Sequence, residues 1–156
     1  MSKARLDFDF DYDFLLYGIS CHLKDYRLCW SLNHQLGSDL QKQNDYELTV
    51  KTGEAPLRFS FFTWEDAVNH LKYIVVANRG NPGILVQEQR QADYFLLVEG
   101  LTDLVDTQGL LDRIKGTDVV LTAYSIDPNQ LKSKQNLLLE QMCLTLLLYL
   151  KILKLL

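Results

Sequence analysis

The chain has 156 residues, 47% of them hydrophobic and 23% charged, with a formal net charge of −4. That length fits one domain, and the apolar share can build a packed core, which excludes a wholly disordered chain. A mildly acidic balance lacks the broad positive field that phosphate backbones need, so no nucleic acid is expected as a partner.

The first stretch with a clear pattern is "LDFDFDYDF", Leu6 to Phe14, where Asp7, Asp9, Asp11 and Asp13 alternate with Phe8, Phe10, Tyr12 and Phe14. A period of two is a strand signal. A calcium loop counted from Asp7 would need glycine at its sixth position and glutamate at its twelfth, but Tyr12 and Gly18 stand there. On a strand, carboxylates of one face lie about 6.7 Å apart, a row rather than a cage. The row reads as a solvated face or a charged sheet edge, and no metal is expected.

The run continues into "FLLYGIS", a buried central strand. In "DYRLCWSLNHQLG", Leu28, Leu32 and Leu36 recur every four residues. This predicts a helix with Asp25 as its cap and Gly37 at its close. "YELTVKTGEAPLRFSFF" predicts two strands around a turn at Gly53 and Pro56. "HLKYIVVAN" predicts the next strand, broken by "RGNPG". A short strand is conceivable at "ILVQE", and "ADYFLLVEG" is another strand. "TDLVDTQGLLDRIKG" predicts an amphipathic helix with Leu104, Leu111 and Ile114 on one side, ending at Gly116. "DVVLTAYSI" is the last strand, after which Asp127 caps a helix with Pro128 in its first turn. Successive strands favour an antiparallel sheet, so the expected fold is α+β: a single domain over residues 1–136 with a mainly antiparallel sheet flanked by two helices.

The tail, residues 137–156, predicts an added C-terminal amphipathic helix with Glu140, Gln141, Thr145, Lys151 and Lys154 on its polar side. Ten uncharged residues separate Glu140 from Lys151, against about twenty for a span. Docking on the domain, pairing with another subunit and lying on a membrane surface are the three uses open to such a helix. Having only two lysines on the polar face weakens the last.

Three sets of residues could carry chemistry. Cys21, His22, Cys29 and His34 contain no CxxC, and Cys29 and His34 sit five apart, which suits buried thiols and surface histidines better than zinc. Cys143 is the third cysteine, and an odd number without close pairs is no disulfide framework. Met1 to Asp13 is charged rather than apolar, so no export is expected, and free thiols then fit a cytoplasmic location. "NRGNPG", Asn78 to Gly83, lacks a GKS/T ending and reads as a turn, with Arg79 available for an anion. No GxSxG or HExxH is present, so no catalytic residue and no cofactor is assigned.

The segments "FDYDFLLYGISCHLKDYRLCWSLN" and "SIDPNQLKSKQNL", with "VQEQRQADY" between them, resemble a bacterial family of unknown function named for its motif IPExxxVDY. Glu88, Asp93 and Tyr94 stand as in that motif, while Val86, Gln87 and Ala92 replace its Ile, Pro and Val. The resemblance spans residues 5–137 and implies a small cytoplasmic bacterial protein with no assigned activity. It also implies that the tail is an extension beyond the family's usual end. Glu88, Asp93 and Tyr94 become candidate binding residues. The plainer reading is that Asp93 and Tyr94 open a strand and Tyr94 packs on a neighbour.

The expected function is therefore a cytoplasmic, non-enzymatic protein-interaction or self-association module, with a protein partner or a homo-oligomer. The alternative is a small-molecule or anion-binding regulator, or an enzyme, with its site near Glu88, Asp93 and Tyr94.

Overall fold

Three long apolar runs set the architecture of the chain. In the computed structural model, which describes residues 14–48, 53, 55–80 and 83–130, they form the middle of one sheet. These are β1 (Phe14–Ser20), β6 (Leu71–Ala77) and β7 (Tyr94–Gly100). With β2 (Gln41–Lys42), β5 (Phe61–Asp66) and β8 (Thr122–Ile126), they make a six-stranded sheet ordered β2-β5-β6-β7-β1-β8. Every pairing in it is antiparallel. The helices α1 (Asp25–Leu36) and α2 (Thr107–Lys115) complete a single α+β domain.

Alternation along the strands sends apolar side chains to both faces. Tyr17, Ile19, Val75, Leu96 and Val98 pack with Leu28 and Leu32 of α1 and Leu110, Leu111 and Ile114 of α2. Leu16, Ile74, Val76, Phe95 and Leu97 belong to a second core on the opposite face. Its cover comes from a hairpin, β3 (Tyr46–Leu48) with β4 (Leu57–Phe59), and from the connection between β6 and β7. The hairpin gives Tyr46 and Phe59, and the connection gives Leu85, Val86 and Ala92.

Several local expectations change. Asp25 is the first helical residue rather than the cap. Lys24 holds the cap position without a side-chain bond, and the Asp25 carboxylate accepts from the Tyr26 N–H at 2.7 Å. Negative charge is still favoured there, at the positive end of the helix dipole. Gly37 does close α1, in the left-handed conformation at φ 67°.

The expected helix over 102–116 is split. A 3-10 turn covers Thr102–Leu104, the chain then extends, and Asp106 caps α2 by accepting from the Gly109 N–H at 3.0 Å. Leu104 thus leaves the helix face and is 84% exposed. The run "LRFSFF" divides at Ser60, with β4 joining the hairpin and β5 the main sheet. Residues 118–121 form a turn rather than the start of β8. No strand forms at "ILVQE": Ile84 makes a single bridge to Arg79, and Gln87–Gln89 is a 3-10 turn. Pro128–Gln130 is a 3-10 turn opened by Asp127, whose carboxylate accepts from the Asn129 N–H at 3.0 Å. The aspartate row, Cys143 and the helix expected over 137–156 lie outside the described residues.

Where β7 leaves the sheet, Gly100 has φ 114°, and a Cβ there would fall on the His70 carbonyl oxygen, which accepts the Leu101 N–H at 3.1 Å. Neither that backbone conformation nor that approach admits a side chain at low cost. Gly100→Ala is expected to lower stability by more than about 1 kcal/mol, read as a fall in the urea midpoint with no change in slope.

Candidate functional site

The connection from β6 to β7 carries the residues of the family-like motif, and its geometry starts from Asn78. This side chain is fully buried. Its Nδ2 donates to the carbonyls of Gln89 and Ala92, both at 2.9 Å, and its Oδ1 accepts from the Val86 N–H at 2.8 Å. Its backbone N–H donates to the Asp93 carbonyl at 2.9 Å, and its carbonyl accepts the Leu85 N–H at 2.8 Å. One asparagine thus satisfies the polar backbone of a loop that lies over an apolar sheet face.

Asp93 and Tyr94 are joints in the same assembly. The Asp93 carboxylate accepts from the Cys21 N–H at 2.9 Å and from Arg79 Nε at 3.0 Å. Arg79 also donates to the Arg90 carbonyl. The Tyr94 hydroxyl donates to the Leu23 carbonyl at 2.8 Å. Together these bonds fix the turn between β1 and α1 against the start of β7. Tyr94 does open a strand, as the plainer sequence reading has it.

Glu88 lies elsewhere. It sits in the exposed 3-10 turn and lines an open groove of about 510 Å³ with Gln89, Gln91, Tyr124 and Asp127. Asp93 and Tyr94 line a smaller depression of about 310 Å³ with Cys21, His22 and Arg79. The three motif positions are not brought into one pocket. Gln87, where the motif has proline, is the first residue of the 3-10 turn, a position that suits proline's fixed φ. Here its side chain accepts instead from Arg90 Nη2 at 3.1 Å.

Burial decides what the smaller depression can do. It pushes up the Cys21 thiol, against the hydrogen bond to the Leu23 carbonyl, and it pushes up the Tyr94 hydroxyl. Burial raises the Cys29 thiol likewise. Both thiols are protonated at neutral pH, so neither is an activated nucleophile. The ion pair of Arg79 with Asp93 occupies the cation nearest the opening. Among the described residues, no group of three or more His, Cys, Asp or Glu side chains could hold a metal.

A third depression, of about 500 Å³, gathers Glu65, Asp66, His70, Lys72 and Glu99 at the opposite end of the sheet. Sequence reasoning missed it, because the set is assembled by register: Lys72 sits across from Glu65 on one side and Glu99 on the other. Burial raises the Glu99 carboxyl, and Lys72 only partly offsets this. The remaining surface feature is aromatic. Tyr26 and Trp30, one helical turn apart on α1, are 58% and 63% exposed, and Leu23 before them is 39% exposed. Trp30 stacks on His34 with ring centroids 4.0 Å apart.

Compared with known family models, curated proteins and solved structures, the chain matches none.

Two predictions follow from these contacts. Asn78→Ala strands the Val86 N–H and the Gln89 and Ala92 carbonyls, and is expected to cost roughly 2–5 kcal/mol in chemical denaturation. For Glu99, the folded chain favours the protonated acid. The stability this gives is full below the ordinary value of 4.5 and is lost as pH rises through the elevated folded value. Glu99→Gln should therefore stabilise the protein at pH 7 by up to about 1 kcal/mol. Urea titrations in acid, below the ordinary glutamate value, should show the gain vanish.

Proposed function

We propose that this protein is a non-enzymatic interaction module of the cytoplasm, a member of the IPExxxVDY family, that docks a protein partner on the outer face of α1. The observation that carries the reading is the exposed pair Tyr26 and Trp30, with Leu23 just before the helix, on an α1 whose other face is anchored by Leu28, Cys29 and Leu32. Exposed tryptophan and tyrosine at helical spacing offer large contact area at small entropic cost, and such residues dominate binding energy at interfaces. The stacking of Trp30 on His34 holds the indole in place before a partner arrives. Around the motif positions the same reading is supported: Glu88 and Asp93 line separate depressions, and the buried thiols are protonated. No helix among the described residues is long and apolar enough to cross a membrane.

The test is native purification of the tagged chain, wild type against Tyr26→Ala/Trp30→Ala, with co-eluting proteins and small molecules identified by mass spectrometry. The variant should fold normally, because both side chains are exposed. It should lose a stoichiometric protein partner, with affinity reduced at least about thirty-fold for the pair of truncations. A partner retained by the variant, or a stoichiometric metabolite in place of a protein, would overturn the proposal.

A further inference from the structure

The two edges of the main sheet are built differently. One edge strand, β2, is two residues long and carries Lys42. A very short, charged edge is a usual guard against unwanted strand pairing. The other edge strand, β8, has five residues, Thr122–Ile126, and contains no charge and no proline. Among the described residues it pairs only with β1. Thr122 and Ser125 are exposed. Leu121, just before the strand, is 61% exposed.

A row of unpaired backbone N–H and C=O groups is a template for another extended chain. The strand with the right composition is β8 itself. Antiparallel pairing about Tyr124 sets Thr122 across from Ile126 and Ala123 across from Ser125, with no charge meeting a like charge along the seam. Beyond the strand ends, Leu121 and Asp127 oppose one another, which keeps the carboxylates of the two copies apart. The groove along this strand, lined by Gln89, Gln91, Tyr124 and Ser125, gives space for side chains of an added strand. Tyr124 is held over β1, where Gly18 leaves room for its ring: a Cβ on Gly18 would lie 2.6 Å from it. The Tyr124 hydroxyl donates to Gln89 Oε1 at 2.8 Å. These contacts fix the Tyr124 ring before pairing.

We propose that β8 is a homodimerisation edge: two copies join β8 to β8 about a twofold axis, making one continuous sheet. The surface is distinct from the exposed aromatic pair of α1, so this inference stands or falls apart from the proposed function.

The test is sedimentation equilibrium of the full chain over a concentration series. Three forms are compared: wild type, Thr122→Lys/Ser125→Lys and Tyr26→Ala/Trp30→Ala. Wild type and the α1 variant should both dimerise, and the lysine variant should weaken the dimer at least about tenfold, since lysines on an edge block pairing. Hydrogen exchange supplies the second readout. Amides of 122–126 in the wild type should slow as the protein is concentrated, which needs no variant to fold. A wild type monomeric at every concentration would overturn the proposal, as would a dimer unchanged by the lysines or 122–126 amides indifferent to concentration.

Discussion

The sheet is apolar on both faces, and that constraint governs the rest of the molecule. β1, β6 and β7 bury side chains in two directions, so two covers are needed. The helices make one, and their backbones satisfy themselves. The other is made by a hairpin and an irregular connection, and irregular chain brings unpaired peptide groups into an apolar place. Asn78 is the solution. Its amide offers two donors and an acceptor, and all are used on the loop that carries Leu85, Val86 and Ala92 into the second core. Burial of the apolar residues and satisfaction of the backbone are therefore one event at this site.

The same constraint explains why polar residues gather near 78–94. Asp93 receives an N–H from the end of β1 and a guanidinium from the end of β6, while Tyr94 reaches the segment before α1. The bonds of Asp93 to Cys21 and of Tyr94 to Leu23 join stretches of chain 72 and 71 residues apart in sequence. Groups used in this way have their lone pairs and protons committed, and the adjoining thiols are kept neutral by burial. Such a set ties the end of β1, the approach to α1 and the start of β7 together.

Much of this fold is legible in the sequence where side-chain period and burial agree. "FLLYGIS" and "ADYFLLVEG" are continuous apolar runs because their strands are covered on both sides, and Gly37 marks the end of α1 through its left-handed backbone. Local rules fail where a single polar residue redirects the chain. Ser60 parts two strands that read as one, and Asp106 starts a helix in the middle of an apparently continuous amphipathic pattern. The role of Asn78 is invisible in "NRGNPG", since its partners lie 8 to 14 residues further on. The separation of Glu88 from Asp93 and Tyr94 is equally hidden. The spacing of the three does not encode the 3-10 turn at Gln87–Gln89, and Glu88 lines a different depression from Asp93 and Tyr94. That β8 is an edge is a property of strand order, which no local pattern encodes.

The two ends of the β6–β7 pair show where the molecule is held firmly and where it carries strain. At the His70–Gly100 end, both residues have positive φ, and Glu99 is half-buried beside Lys72. At the other end, Asn78, Asp93 and Tyr94 tie the pair to β1 and to the approach of α1. The Tyr94 hydroxyl bond to the Leu23 carbonyl lies three residues before Tyr26. Leu28 and Leu32 then fix the helix axis from beneath. The orientation of Tyr26 and Trp30 is therefore set by the motif tyrosine at one end and by the core along the helix.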